Sequence, residues 1–478
     1  MIRFVLFSIF LCLNIVLVTA QTVQQRLDSL FQSLNQDGEL SGAFLVADSG
    51  KVVFEKYLGF ENSEKTKKIT SSSRFELASV SKQFTAMAIM QLEEQGKLSY
   101  EDDITKYFPH IKFRNIRIKN LLRHTSGIPD FFGFPEKWFN TKKINNNRDI
   151  LKTLEERIDS AEFMAGERCS YSNTNYLLLA LIVEKVSGQS FVTYMRQHIF
   201  KPAGMKNTDV FSARSPKADL KNYAKGMTYN IQTKSFMGVD DFETYKYATY
   251  FDGVSGPYGI SSTTEDLLKW NRALQNFTLL KRNNFIKAIS SDTLTNGKLI
   301  SKHQMYQGFG WEFTDSTNNE NKMHFHTGSY PGYQSIFVRD PKNQRCFMAL
   351  INKPNTIGVF PLTMAIVAIL EKNDIIPSIE REKLTGNITL VEFQLNKLLG
   401  TYSCNQQPEL KFNIIMDKNE GLQAKLSGQS AIEVYPKNEL ELFYTAVQAE
   451  LKFSKENDQI TALTLYQNGQ ELKFNKVK

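Results

Sequence analysis

Cysteine is scarce in this chain: four residues, Cys12, Cys169, Cys346 and Cys404, among 478. None is spaced as C-x-x-C, so neither a zinc ribbon nor a redox pair is indicated. Loss of Cys12 with the leader described below leaves three, an odd number that permits at most one disulfide. Proline (13) and glycine (26) are too few for a collagenous or low-complexity chain. Charge of one sign is not concentrated either. The balance of 58 Lys+Arg against 50 Asp+Glu gives +8, but the cations are scattered among acids, as in "SEKTKK" and "KFSKEND". No basic run is interleaved with aromatics, which excludes a strand-tracking groove and argues for no nucleic-acid partner.

Long apolar runs are missing beyond the N-terminus. Pro361 to Leu370, "PLTMAIVAIL", is about ten residues and reads as a buried helix, not a membrane span. The first twenty residues are different: Arg3 precedes an apolar run from Phe4 to Val18, and Val18-Thr19-Ala20 supplies the small residues of a cleavage site. Residues 1–20 are therefore expected to be a signal peptide. Its removal would leave no stable membrane span and an exported protein, periplasmic or secreted.

What remains is ordinary globular sequence, 41% hydrophobic and 23% charged, long enough for two or three domains. "LSGAFLVADSGKVVFEKYLGF" alternates around an Asp-Ser-Gly turn and predicts a strand hairpin from about Ala43 to Leu58. "FELASVSKQFTAMAIMQLEEQGKL" carries apolar residues at helical intervals, so a helix is expected to begin near Ser79 and stop at Gly96. The run from Tyr176 to Val183 predicts a helix buried on nearly all sides. Late segments, "YQGFGWEF", "KMHFHTG", "YQSIFVRDP" and "RCFMALINK", read as strands that complete a sheet begun by the first hairpin. The fold class is thus α+β, an antiparallel sheet flanked by helices. Residues 21–375 form this domain and 376–398 a polar linker. Residues 399–478 hold short alternating segments that predict a small antiparallel β-barrel.

Three motifs carry chemistry. Ser79-Val80-Ser81-Lys82 is the one S-x-x-K in the chain. Residues three apart share a helix face, so the Lys82 amine would lie beside the Ser79 hydroxyl and, if desolvated, could take its proton. Taken alone, the pattern also describes a helix cap followed by a surface lysine. Tyr171-Ser172-Asn173 stands in a polar loop before the buried helix; a phenol can shuttle protons and an amide can hold both a lysine and a substrate. His326-Thr327-Gly328-Ser329 ends a strand, where glycine allows close backbone approach and strand N–H groups can face an oxyanion.

In this order, separated by 92 and 155 residues, the motifs resemble those of the serine β-lactamase and penicillin-binding-protein superfamily, specifically its class C β-lactamase-like branch of esterases and D-amino-acid peptidases. "IKNLLRHTSGIPDF", "KPAGMKNT", "GISSTTEDLLKW" and "HTGSYPGY" share that style, over roughly Leu40 to Ile375. The resemblance implies Ser79 as acylated nucleophile, Lys82 and Tyr171 as shared general base and acid, and Asn173 as a positioning residue. It implies an oxyanion hole from the backbone N–H groups of Ser79 and Ser329, with Thr327 and Gly328 binding substrate. It implies no cofactor and no metal. The tail resembles a lipocalin-like barrel appended to members of this branch.

One position departs from the pattern. Relatives that open β-lactams or act as transpeptidases usually carry lysine in the third motif, where this chain has His326. With an ordinary pKa of about 6.5 the imidazole is mostly neutral at pH 7 to 8 and attracts a substrate carboxylate less. This favours an exported serine hydrolase acting on an ester or a D-amino-acid-containing peptide or amide, a small-molecule or peptide substrate that includes peptidoglycan fragments. The alternatives are a true β-lactamase or D-alanyl-D-alanine carboxypeptidase, and a catalytically silent peptidoglycan- or partner-binding protein. His324 and His326 form H-x-H on one strand face without a neighbouring Cys or acidic cluster, so a metal is not expected. His124 is expected to fix a loop near the cleft, and Cys169 to pack.

Overall fold

A computed structural model describes residues 21–477, except 37, 39, 231–232, 234, 303–304, 316, 318–320, 355–357, 378, 380–391, 405–406, 409, 418–420, 428–430, 445–448 and 468–469. The expected signal peptide, Cys12 within it, and most of the expected linker fall outside the described residues.

Chain entry is set by helix α1 (Val23–Leu34), capped reciprocally by Thr22 and Gln25. Two strands follow, β1 (Gly42–Asp48) and β2 (Lys51–Leu58), the hairpin expected from the Asp-Ser-Gly turn. Two helices then form the central pair: α2 (Lys82–Glu94) and α3 (Asn173–Ser187). Both are buried along most of their length, as the unbroken apolar runs require. The remaining sheet strands come late: β3 (Ser301–Lys302), β4 (Met305–Gln307), β5 (Glu312–Phe313), β6 (His324–Tyr330), β7 (Tyr333–Asp340) and β8 (Arg345–Ile351). Helix α4 (Val359–Leu370) closes the domain.

These eight strands make one antiparallel sheet in the order β2-β1-β8-β7-β6-β5-β4-β3. Gly42 pairs with Ile351, so the first hairpin is joined to the last strand. Alternation then separates two cores. Ala43, Leu45, Phe337, Met348 and Leu350 face the α2/α3 layer. Phe44, Val46, Ile336, Val338 and Phe347 face α1 and α4. The expected strand over "YQGFGWEF" is broken: Gly310 adopts φ +72° and the segment divides into β4 and β5. A Cβ on Gly310 would sit 2.7 Å from the Lys82 carbonyl oxygen, so this bend lets the loop press against the start of α2.

The start of α2 also differs from expectation. Ser79 lies not in the α-helix but in a single 3-10 turn, Ala78–Ser81, that precedes it. The reason is Ala78, whose φ of +47° is left-handed and disfavoured for any residue with a Cβ. Neighbours hold it there: the Leu77 N–H donates to the Ile260 carbonyl (2.8 Å) and the Ser335 hydroxyl to the Leu77 carbonyl (2.7 Å).

The tail is a closed eight-stranded antiparallel barrel, Gly400–Cys404 through Gln470–Lys476, with Tyr402 pairing with Lys476 across the closure. Phe412, Leu442, Leu451, Leu463 and Phe474 fill it. It meets the main domain at a hairpin, Met227–Asn230 and Ser235–Gly238, where Tyr229 packs with Tyr435 and Phe443. The Tyr435 hydroxyl lies 2.8 Å from the Tyr229 carbonyl and 2.5 Å from the Glu433 carboxylate. Cys169, Cys346 and Cys404 are all free thiols, and the one permitted disulfide does not form.

Candidate active site

The strained turn at Ala78 presents Ser79 half-buried at the mouth of a cleft between the sheet and the helical layer. One turn on, Lys82 is fully buried, and its ammonium nitrogen has three partners. They are Ser79 Oγ at 3.1 Å, Asn173 Oδ1 at 2.9 Å and the Pro257 carbonyl at 2.9 Å. Two of these can only accept. An uncharged amine satisfies both with its two N–H groups and turns its lone pair to the Ser79 hydroxyl. Burial pushes the Lys82 pKa down to about 7, against the opposing pull of Asp130 and Glu312. Near neutral pH a large fraction of Lys82 is therefore the free base.

Tyr171 enters from the loop ahead of α3, and its phenol interacts with the Ser79 side chain. Burial holds that phenol well above the ordinary tyrosine range, offset only in part by Ser79, so Tyr171 stays protonated. The Lys82 nitrogen stands 4.7 Å from the centre of its ring. His124 stacks on the ring with centroids 4.2 Å apart. Its Nδ1 accepts the Ser172 N–H at 3.2 Å, which fixes the loop. Burial and the nearby Lys82 charge hold His124 well below its usual range, so it remains neutral. It positions the tyrosine, as the loop-fixing role expected.

His326, Thr327, Gly328 and Ser329 lie on β6 across from this cluster. The His326 ring is 6.4 Å from that of Tyr171, centre to centre. Its Nδ1 lies 2.6 Å from the Thr327 carbonyl, which can only accept, so Nδ1 carries the proton and Nε2 is left as an acceptor. Burial lowers its pKa, with Glu312 opposing and Lys82 adding to the shift. The imidazole is thus neutral by environment as well as by its ordinary value. A Cβ on Gly328 would fall 2.4 Å from the Leu77 carbonyl and 3.1 Å from the Ala78 Cβ, so glycine is what allows β6 to lie against the nucleophile turn. Ser329 is exposed at the rim, paired in register with Gln334.

His324 is excluded as a ligand by its bonding. Nδ1 donates to the Lys322 carbonyl at 2.9 Å, and Nε2 accepts from Arg339 at 3.0 Å. Among the described residues no three His, Cys, Asp or Glu side chains converge as a metal site. Burial pushes the Cys169 thiol up to about 12, and its sulfur lies 3.9 Å from the Arg123 carbonyl, a packing role.

Three participants escape the motifs. Asp130 accepts from both the backbone N–H and the side-chain Nδ2 of Asn173, each at 2.8 Å, fixing which way that amide faces. Burial raises its pKa. Its signal was the Asp of "GIPDF", an acceptor placed before an aromatic turn, where it also caps Phe132. The Pro257 carbonyl has no sequence signal, since every residue carries one. Glu312 sits on β5 without a motif, and its carboxylate favours the protonated forms of both Lys82 and His326.

A serine on a strained turn, a buried amine with lowered proton affinity and a protonated phenol, set between an antiparallel sheet and a helical layer, define a serine hydrolase of the β-lactamase and transpeptidase fold. The Beta-lactamase family profile matches residues 21–368. The chain belongs to that family. It is 30% identical over 454 residues to Penicillin-binding protein 4* of Bacillus subtilis (strain 168), covering 94% of this chain and 98% of that one. The octameric penicillin-binding protein homologue of Pyrococcus abyssi superposes with a TM-score of 0.62 at 20% identity, over 94% of this chain and 99% of its own. D-amino acid amidase of Ochrobactrum anthropi SV3 superposes with a TM-score of 0.54 at 20% identity, over 69% and 93%.

Proposed function

We propose that the chain is an exported hydrolase that cleaves an ester, or a D-amino-acid-containing peptide or amide, through an acyl-enzyme on Ser79. The observation that carries this reading is the bonding of Lys82, which leaves a lone pair for the Ser79 hydroxyl once the amine is neutral. Ser79 Oγ loses its proton to Lys82 and attacks the substrate carbonyl. The oxyanion that forms is held by the backbone N–H groups of Ser79 and Ser329. Tyr171 gives its phenolic proton to the departing group and recovers one from Lys82. Water then enters, loses a proton to the same pair and releases the acyl group, restoring Ser79. Asn173, oriented by Asp130, holds Lys82 and one polar edge of the substrate. Thr327 and Gly328 offer their strand edge to it.

The neutral His326 supports an ester or amide substrate over a β-lactam. Likeness to a D-amino acid amidase and to penicillin-binding proteins supports a D-configured substrate drawn from peptidoglycan chemistry. Comparing kcat/KM for a short-chain p-nitrophenyl ester, D-alanine p-nitroanilide and nitrocefin, with Ser79→Ala as blank, tests this. Ser79-dependent ester or D-amide turnover with little nitrocefin cleavage is expected; dominant nitrocefin cleavage makes the chain a β-lactamase, and silence on all three removes the hydrolytic reading. Export is supported by the leader at residues 1–20, and a mature N-terminus at Gln21 is the result that would establish it.

A further inference from the structure

Outside the cleft, one buried charge has no counter-ion. Arg339 on β7 is 3% exposed, and among the described residues no carboxylate pairs with it. Burial lowers its pKa to about 10, so the guanidinium is charged at neutral pH. Two of its nitrogens meet neutral acceptors: Nε donates to Asn271 Oδ1 at 2.7 Å and Nη1 to His324 Nε2 at 3.0 Å. The third, Nη2, has no hydrogen-bond partner among the described residues. The side chain lines a groove of about 180 Å³ between the helices Thr264–Gln275 and Arg282–Ala288 and the end of β7. Leu274, Phe277, Phe285, Ile289 and Pro341 wall it, and Arg282 stands on the same lining. The guanidinium carbon is 5.7 Å from the centre of the Phe285 ring.

A buried cation without a counter-charge is costly, and the planar guanidinium fork matches a carboxylate. Asn271 and His324 give it acceptors but no charge, since burial and Arg339 itself hold the His324 imidazole well below its usual range. A single buried charge suits a monoanion better than a phosphate dianion. The walls around it are apolar, and a cavity of about 150 Å³ is enough to admit benzene. We propose that this groove binds a small carboxylate with a ring-sized apolar body, the carboxylate on Arg339 and the body against Leu274 and Phe285. It is a second ligand site, separate from the cleft. Arg339 lies four residues along β7 from Ser335, which bonds the nucleophile turn, a distance of about 13 Å. None of Ser79, Lys82, Tyr171, Asn173 and His326 lines the groove.

The test is calorimetric titration of the chain from Gln21 to Lys478 with benzoate and with its neutral isostere benzamide. Saturable binding of benzoate at one site per chain is expected, with benzamide about tenfold weaker or more. Arg339→Gln should bring benzoate level with benzamide, and Arg339→Lys, which keeps the charge but not the fork, should fall between. Ile286→Trp sets an indole into the groove and leaves Arg339 in place; it should abolish binding in a folded chain, and it decides the matter if Arg339→Gln fails to fold. Absence of saturable benzoate binding overturns the proposal. Equal affinity for benzoate and benzamide overturns it too, as does unchanged benzoate affinity in Arg339→Gln or in Ile286→Trp. Benzoate that competes with an ester substrate, with an inhibition constant equal to its Kd, sits in the Ser79 cleft and overturns it as well.

Discussion

The cleft and the barrel solve opposite problems within one chain. The barrel buries apolar side chains, Phe412, Leu442, Leu451, Leu463 and Phe474, and closes its ladder so that no strand edge is left open. The cleft buries Lys82, His124, His326 and the phenol of Tyr171, each shifted toward its uncharged form by loss of water. It also keeps Ala78 in a backbone conformation that costs about 1–3 kcal/mol. The difference teaches where stability and reactivity are stored. The barrel is held by apolar packing, and the cleft holds together because the sheet and α2 clamp it from both sides.

That contrast predicts effects of different kinds. The largest is Ser79→Ala, which should lower kcat by about 10⁴-fold or more while leaving the thermal midpoint equal or higher, measured by steady-state kinetics and calorimetry. Activity near that of the unmodified protein would place the nucleophile elsewhere. The reverse experiment is Leu451→Ala in the barrel, fully buried in the core. It should cost about 2–5 kcal/mol in denaturant unfolding of the barrel, with ester turnover within twofold. A fall in turnover matching the loss of stability would show that the two regions are not separable.

Third comes pH. On the proposed mechanism Lys82 acts as the base and must be unprotonated, so kcat/KM should fall as pH drops through about 7, by roughly tenfold per unit further down. The sign for stability is the same. Lys82 binds its proton less readily folded than unfolded, so its contribution to stability rises as pH climbs from about 7 toward the ordinary 10.5. A pH–rate profile flat between 5 and 8 would remove Lys82 as the base. The smallest effect is at the junction of the two regions. Tyr435→Phe deprives the Tyr229 carbonyl and Glu433 of their shared hydroxyl, a loss of about 1–2 kcal/mol. Faster hydrogen exchange over Met227–Asn230 would report it, and unchanged exchange would mean that the aromatic packing alone holds the hairpin.

Much of this was legible from local pattern. Period-two alternation marked the first hairpin and the barrel, apolar runs marked α2 and α3, and three short motifs marked five residues that the fold brings to one cleft. The misreadings have physical causes. An apolar period cannot register a left-handed residue, so α2 was expected one turn early, at Ser79 instead of Lys82. Two glycines did not outweigh the strand pattern of "YQGFGWEF", yet Gly310 bends there to meet Lys82. Asp130, Glu312 and the Pro257 carbonyl reach the site only through tertiary assembly, from segments with no periodicity or spacing that points to one another.

The register of β1 against β8 has a kinetic meaning. Gly42 meets Ile351 about 300 residues later, so the first hairpin emerges from synthesis long before its partner strand exists. Pairings of such high contact order form slowly, and here the delay also governs chemistry. The clamp on Ala78 comes from Ile260, Gly328 and Ser335, so no growing or truncated chain ending before those strands can hold Ser79 in its reactive turn. Hydrolytic activity is therefore expected only once Ile260, β6 and β7 have closed on that turn, and its appearance during refolding is a clock for that event.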